Sequence, residues 1–137
     1  MSTNWNTLKV GDSLPQLEAG PITRTVLALY AGGSGDHNPM HIDSDFVKKG
    51  GMPDVFAHGM LSMSYLAQLL TQRTRPENIR SYNVRFASIT PVNARVTCQG
   101  KVLEKFEADG EKRVKLELQT VTDKGAVTLQ GEAVIAI

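Results

Sequence analysis

The chain has 137 residues, 41% of them hydrophobic, and 15 Lys and Arg against 14 Asp and Glu give a formal net charge of +1. This length is typical of one compact domain, so we expect a single domain over residues 1–137. No basic run or aromatic-interleaved basic stripe occurs, which argues against a nucleic-acid partner. No segment approaches the roughly 18 apolar residues of a membrane span, and no signal-peptide pattern opens the chain. We therefore expect a cytoplasmic protein with no membrane partner.

The first half of the chain predicts helices separated by segments rich in glycine and proline. Thr23 can cap a short helix, which a glycine cluster is expected to end, so that residues 32–41 form a loop. Asp43 or Ser44 can cap a second short helix. Residues 59–71 contain no helix breaker, and apolar side chains cover most of the circumference. This pattern predicts a long helix that is buried nearly all round.

The second half changes to an alternation of apolar and polar residues, which is typical of strands. Such runs occur at residues 82–86, 96–102, 114–118 and 127–137. Turn-forming residues between the later runs predict antiparallel neighbours. The single Cys98 cannot form an internal disulfide and is predicted to be a small core residue. One apolar helix and a meander with one apolar face predict an α+β fold in which the sheet curls around the helix.

The glycine-rich segment at residues 32–41 brings together residues that can carry acid/base chemistry. It contains Asp36 and His41, and Pro39 between them stiffens the turn and keeps Asn38 extended. A water molecule held between a carboxylate and an imidazole can lose a proton to one group while the other delivers a proton, as hydration of a double bond requires. Asp36 and Asn38 are also common turn formers, so a purely structural reason for both stays open.

A second candidate position is Gly59, at the start of the predicted long helix. Backbone N–H groups are unpaired at a helix start, and glycine lets a ligand approach them, so Gly59 can donate to a developing oxyanion. The alternative is that this glycine only accommodates a neighbouring strand. His58 is predicted to be a buried structural histidine. His37, His41 and His58 have no paired metal-ligand spacing such as HxxxH, and we predict no metal site.

An ordered set of motifs covers most of the chain: Val10-Gly11-Asp12, residues 30–41, Phe46, residues 57–60, residues 82–86 and Pro91-Val92. In this order and spacing the motifs resemble the MaoC-like family of (R)-specific enoyl-thioester hydratases and dehydratases. The likeness is greatest to short single-hotdog dehydratase subunits, including the catalytic subunits of heterodimers. It implies a hotdog fold, an antiparallel sheet wrapped around a long central helix, that dimerises with its site near the subunit interface.

The resemblance also implies a role for each matching residue. Asp36 and His41 would hold the catalytic water, and the Gly59 N–H would receive the thioester oxygen. The enzyme would be a lyase of fatty acid metabolism that adds water reversibly, on one face, to a trans-2-enoyl thioester and yields a (3R)-3-hydroxyacyl thioester. The implied substrate is an acyl-CoA or acyl-carrier-protein thioester, with no cofactor. A homodimer or higher homo-oligomer is expected, with a heterodimer of two hotdog subunits as the alternative.

Substrate contacts are predicted for several side chains near these motifs: Asn38, Phe56, Met63, Ser64, Tyr65 and Arg85. Some bacterial hydratases of the family carry a serine eight residues after the helix-opening glycine, where this chain has Ala67, so Ser64 is a candidate replacement. The Gly-Asp that often follows Pro-Val in the family is absent here. Basic side chains for the phosphates of CoA or an acidic carrier protein are Arg73, Arg75, Arg80 and Arg85, unless they form only a solvated loop.

Two other functions use the same fold. A hotdog subunit that is inactive until it joins a partner chain would build an acyl tunnel without acting alone. A hotdog thioesterase usually carries its carboxylate on the long helix, and residues 59–71 contain no Asp or Glu. The sequence therefore favours the hydratase over the thioesterase.

Overall fold

A computed structural model of the protein describes residues 3–137. The elements in chain order are β1 (Leu17–Ala19), α1 (Arg24–Ser34), a 3₁₀ turn (Pro39–His41), α2 (Ser44–Lys49), α3 (Gly59–Thr71), a second 3₁₀ turn (Pro76–Asn78), β2 (Ile79–Phe86), β3 (Val96–Ala108), β4 (Glu111–Thr122) and β5 (Val127–Ala136). The five strands form one antiparallel sheet in the order β1-β3-β4-β5-β2. The structure is thus α+β, as predicted. No helix among residues 3–137 has both the length and the apolar character needed to cross a lipid bilayer.

The four alternating runs of the sequence are β2 to β5. The prediction that successive runs are antiparallel neighbours is confirmed for β3, β4 and β5, whereas β2 pairs with β5 and not with β3. From Val96 to Val102 in β3 and from Val114 to Thr122 in β4 every second residue is buried, because one face of the sheet covers the core. Asp109 and Gly110 connect these strands with positive φ angles of 51° and 75°, the combination that a tight hairpin turn requires. Cys98 is fully buried on β3, which confirms its prediction as a core residue.

Helix α3 lies on the sheet and contacts β1, β3 and β4. Gly100 on β3 permits this approach, because a Cβ there would lie 2.9 Å from Leu14 and 3.3 Å from Leu69 of α3. The prediction that α3 is buried nearly all round is wrong for this chain: Met60 is 54% exposed and Ser64 is exposed. The sheet covers only one side of the helix, so the apolar residues on the other side face outward.

The segment that precedes the site is more ordered than expected. Thr23 caps α1 and Asp43 caps α2 through their side chains, which confirms both predicted caps. The prediction of a loop over residues 32–41 is wrong at both ends, since α1 continues to Ser34 and Pro39–His41 is a 3₁₀ turn. The first glycines are tolerated in the helix, and the chain leaves it only at Gly35, whose positive φ of 76° ends the helix.

Candidate active site

Three segments meet at a cavity of about 470 Å³: the turn after α1, the 3₁₀ turn, and the start of α3. The end of β2 and the segment after it also line this cavity. The lining residues are Asp36, His41, Phe56, Ala57, Gly59, Met60, Ser62, Phe86, Ala87, Ser88, Ile89, Thr90 and Leu129. The fold therefore brings together Asp36, His41 and Gly59, the three residues predicted to carry the chemistry.

His41 is held in one tautomer by the backbone. Its Nδ1 lies 2.7 Å from the carbonyl oxygen of Phe56, and a carbonyl can only accept, so Nδ1 carries the proton and donates it. In the neutral ring Nε2 is then the nitrogen with a free lone pair. The amide of Phe56 returns a hydrogen bond to the carbonyl of Met40, at 3.3 Å. These two hydrogen bonds join the 3₁₀ turn to the segment before α3. His41 is 92% buried and still lines the cavity.

Asp36 combines a turn-forming role with a free carboxylate oxygen. Its Oδ1 accepts the N–H of Asn38 at 3.2 Å, and its own N–H donates to Ser34 Oγ at 3.1 Å. Its Oδ2 has no hydrogen-bond partner among residues 3–137. Asp36 therefore forms the turn, as its residue type allows, and still has one carboxylate oxygen available at the cavity.

His58 lies behind the two groups and is 99% buried. Its Nε2–H donates to the backbone carbonyl of Asp36 at 3.1 Å, and its ring stacks on that of His41 with centroids 4.0 Å apart. Burial holds the pKa of His58 below its ordinary value. His58 is therefore neutral at pH 7, and its burial agrees with the prediction of a structural histidine.

Gly59 opens α3 without a side-chain cap from His58. Within the described part of the chain, the N–H groups of Gly59 and Met60 have no hydrogen-bond partner, as expected at a helix start. A Cβ on Gly59 would lie 2.6 and 2.7 Å from two ring carbons of Phe86. The steric reason for this glycine is therefore real, and it coexists with a free amide at the cavity.

Asp36, His41 and His58 also form the cluster with the composition of a metal site, their ligand atoms lying within 4.8 Å of one another. An imidazole binds a metal in the plane of its ring, at about 2.0–2.1 Å for zinc. The rings of His41 and His58 are stacked with planes only 29° apart, so their lone pairs run side by side and do not converge. This arrangement does not fit a metal held by both histidines.

The predicted substrate contacts divide between the cavity and other parts of the chain. Phe56 lines the cavity, whereas Asn38, Met63, Ser64, Tyr65 and Arg85 do not. The Asn38 side chain accepts the N–H of Met40, so its role is to cap the 3₁₀ turn. On α3 the cavity is met by Gly59, Met60 and Ser62, so positions 63 to 65 have turned away from it. The Ser64 hydroxyl donates to the helix backbone at Leu61. Position 67 likewise does not reach the cavity.

Most of the candidate phosphate-binding arginines have partners within the chain. Arg73 donates to the carbonyls of Leu69 and Pro15, which ties the end of α3 to the segment before β1. Arg80 forms a two-point ion pair with Glu111, and Arg85 donates to Gln130 on β5. The side chain of Arg75 is 82% exposed and only 3.8 Å from that of Glu77. A structural or solvated role is therefore favoured for this group.

Several cavity residues have no signal in the sequence. Ser62 and Thr90 are buried, and their hydroxyls lie 3.4 Å apart in the wall. The only hint for Ser62 is a polar residue one turn after Gly59 in an apolar helix. Phe86 and Ile89 reach the cavity from the end of β2, far from Asp36 along the chain, so no local pattern marks them as cavity residues; the run at residues 82–86 predicts only a strand.

Comparison with known proteins identifies the family of the chain. Residues 6–124 match the family described as MaoC like domain. The (R)-specific enoyl-CoA hydratase of Rhodospirillum rubrum is 30% identical over 125 residues, 87% of this chain and 82% of that protein. The 3-hydroxyacyl-thioester dehydratase X of Mycobacterium tuberculosis is 39% identical over 66 residues, which span 48% of this chain and only 23% of that protein.

Solved structures show the same fold. The R-hydratase PhaJ1 of Pseudomonas aeruginosa superposes with a TM-score of 0.80 at 28% identity, covering 96% of this chain and 83% of its own. The (R)-hydratase of A. caviae gives a TM-score of 0.81 at 26% identity, with 94% and 96% coverage. The fold thus defines a hotdog protein, and its cavity is lined by Asp36, His41 and Gly59. The chain belongs to the MaoC-like dehydratase family, a family of hydro-lyases, and both the predicted family and the predicted hotdog fold are confirmed.

Proposed function

We propose that the protein catalyses the reversible, (R)-specific addition of water to trans-2-enoyl thioesters. The observation that carries this proposal is the convergence of Asp36, His41 and the first amides of α3 on one cavity. Hydration of an enoyl thioester needs an acid/base pair at C2 and C3 and a donor at the thioester oxygen. The cavity offers these three elements together.

The chemistry follows from the atoms that stay free. Nε2 of His41 and Oδ2 of Asp36 can hold one water molecule between them, since Nδ1 and Oδ1 are engaged with the backbone. The water oxygen bonds to C3, one of its protons passes to the pair, and the pair delivers one proton to C2. Because both groups lie on one side of the cavity, water and proton add to the same face.

The enolate that develops during this step needs a hydrogen-bond donor at the thioester oxygen. The unpaired N–H of Gly59 is proposed for this role, with the positive end of the α3 dipole behind it. Such a donor is worth about 10²- to 10³-fold in rate. The acyl chain would pack against the apolar side of the cavity, at Met60, Phe86, Ile89 and Leu129. CoA or carrier-protein phosphopantetheine would serve as the handle of the substrate.

The test is the loss of enoyl-thioester absorbance when the purified protein is mixed with crotonyl-CoA. Asp36→Asn retains an oxygen that can accept the Asn38 N–H and removes only the charge, so we expect a folded protein with at least a 100-fold lower kcat. His41→Ala should lose activity similarly. His37→Gln is the matched control, because His37 is exposed and does not line the cavity. Retained turnover in folded Asp36→Asn or His41→Ala would contradict the proposal.

We further propose that a second copy of the chain covers the cavity mouth. Several large apolar side chains in the flanking segments are 38–54% exposed: Met40, Ile42, Phe46, Met60, Phe86 and Ile89. Strand β2 is also an edge of the sheet. Apolar rims and open edges favour association. Light scattering of the purified chain should give twice the mass of one chain, whereas a monomer would contradict this part of the proposal.

A hotdog partner of different sequence is the alternative occupant of that surface. One structural neighbour is the ChsH1-ChsH2 complex of Mycobacterium tuberculosis. At 20% identity, this similarity shows only that the fold is shared. A homodimer that turns over crotonyl-CoA without any other chain would exclude the need for such a partner. An inactive, folded chain that gains activity only on mixing with a second hotdog subunit would favour the alternative.

A further inference from the structure

The proposed reaction does not use His58, although this side chain contacts the backbone of Asp36 and the ring of His41. Among residues 3–137, its one side-chain hydrogen bond is to the backbone of Asp36, and its ring faces that of His41. Burial of an imidazole costs free energy unless its polar atoms find hydrogen-bond partners. Its Nδ1 has no hydrogen-bond partner among residues 3–137.

The surroundings of His58 keep it neutral. The titratable groups that face it are Tyr30 from α1, Asp36 from the following turn and His41 from the 3₁₀ turn. Tyr30 presents its ring at 4.7 Å, edge to face, and Asp36 is bonded through its backbone carbonyl. A second proton would place an unpaired N–H in the core and a cation against His41. The neutral Nε2–H form keeps the hydrogen bond to the Asp36 carbonyl and leaves Nδ1 as an unpaired acceptor without a charge.

His58 acts on the geometry of both groups at once. Its Nε2–H fixes the carbonyl of Asp36 and so the position from which that carboxylate reaches the cavity. Its ring stacks on that of His41, with centroids 4.0 Å apart and an angle of 29° between the ring planes. The Phe56 carbonyl accepts a hydrogen bond at one edge of the His41 ring. A hydrogen bond along one edge leaves a ring free to tilt, whereas a face contact removes that freedom.

We propose that His58 is a positioning residue for the proposed hydration, a neutral imidazole that sets the distance and angle between Asp36 and His41. It does not exchange protons with the substrate. The proposal rests on the proposed function. Misplacing a reacting group by about 1 Å can reduce the rate about 100-fold, and loss of a supporting contact at a site commonly lowers activity 10- to 100-fold.

Two substitutions separate the two contacts. His58→Gln keeps a donor of similar reach for the Asp36 carbonyl and removes the ring, whereas His58→Phe keeps a ring against His41 and removes the donor. We expect a 10- to 100-fold lower kcat in both variants, with KM changed by less than about threefold. When either substitution is combined with Asp36→Asn, kcat should fall no lower than in Asp36→Asn alone. His37→Gln, an exposed histidine of the same turn, should stay within twofold of the unchanged protein.

NMR of the three ¹⁵N-labelled histidines gives a readout that does not depend on turnover. We expect His58 to be in the Nε2–H form at pH 7, and the His41 Nδ1 proton to exchange with water at least tenfold faster in His58→Gln. A doubly protonated His58 at pH 7, or folded variants with unchanged kcat and unchanged exchange, would overturn the positioning role. Absence of hydration by the unchanged protein would instead overturn the proposed function.

Discussion

Adding one methyl group at Gly59 tests the start of α3 as the site of the thioester oxygen. In Gly59→Ala the new Cβ would meet two ring carbons of Phe86 at 2.6 and 2.7 Å, about 1 Å inside ordinary carbon contact. The backbone N–H remains, and so does the fold around it. The variant therefore changes access to the amide and not the amide itself.

The expected loss of stability is small because Phe86 can move. Its side chain ends strand β2 and is 53% exposed, so the ring can rotate toward solvent. Overpacking typically destabilises by about 1–3 kcal/mol, and we expect the lower end, about 1 kcal/mol, by urea denaturation. Phe86→Leu removes the clash, so the double variant should recover most of that loss.

The expected loss of activity is much larger. The methyl group would occupy the space through which the thioester oxygen reaches the amide, and loss of one such donor lowers kcat about 10²- to 10³-fold. Hydration of crotonyl-CoA should stay equally low in the Gly59→Ala/Phe86→Leu double variant. Turnover by Gly59→Ala within twofold of the unchanged protein would refute the role of this amide. Recovery of turnover in the double variant would show that the methyl acts only through the ring.

Two further predictions concern stability. Gly131→Ala should unfold the protein or destabilise it by more than about 3 kcal/mol in denaturant, because a Cβ there would lie 2.0 Å from a backbone oxygen of β2. Gly32→Ala is its control: a Cβ there meets nothing within 4 Å in α1, so thermal melting should show a gain of about 0.5–1 kcal/mol. Equal changes in stability for Gly131→Ala and Gly32→Ala would contradict the close packing of β2 against Gly131. The Arg80 guanidinium and a second arginine lower the pKa of Glu111 from 4.5 to about 2. This contribution to stability is present above pH 4.5 and is lost as pH falls toward 2, so Glu111→Gln should melt with a weaker dependence on pH in that window.

Local patterns in the sequence determined most of the secondary structure of this protein. The caps at Thr23 and Asp43, the helix at residues 59–71 and the four alternating runs each depend on residues close together in the chain. The three-residue strand β1 gave no such signal, because it is too short for an alternation and is ordered by pairing with β3. The continuation of α1 through Gly32 and Gly33 was also missed, since packing of its neighbours overrides the weak helix propensity of glycine.

Some residues of the candidate site could be predicted from local motifs, and others only from the tertiary structure. Asp36, His41 and Gly59 are marked by their local motifs, and the family resemblance suggested a role for each. Only the tertiary structure decided what surrounds them: His58 behind the pair, and the wall that Phe86 and Thr90 bring from the end of β2. Phe86 and Thr90 are distant from Asp36 in the chain, and the pairing of β2 with β5 sets Phe86 beside Leu129, which also lines the cavity. Local sequence determines which groups are present, whereas their distances and burial, and hence their chemistry, depend on long-range packing.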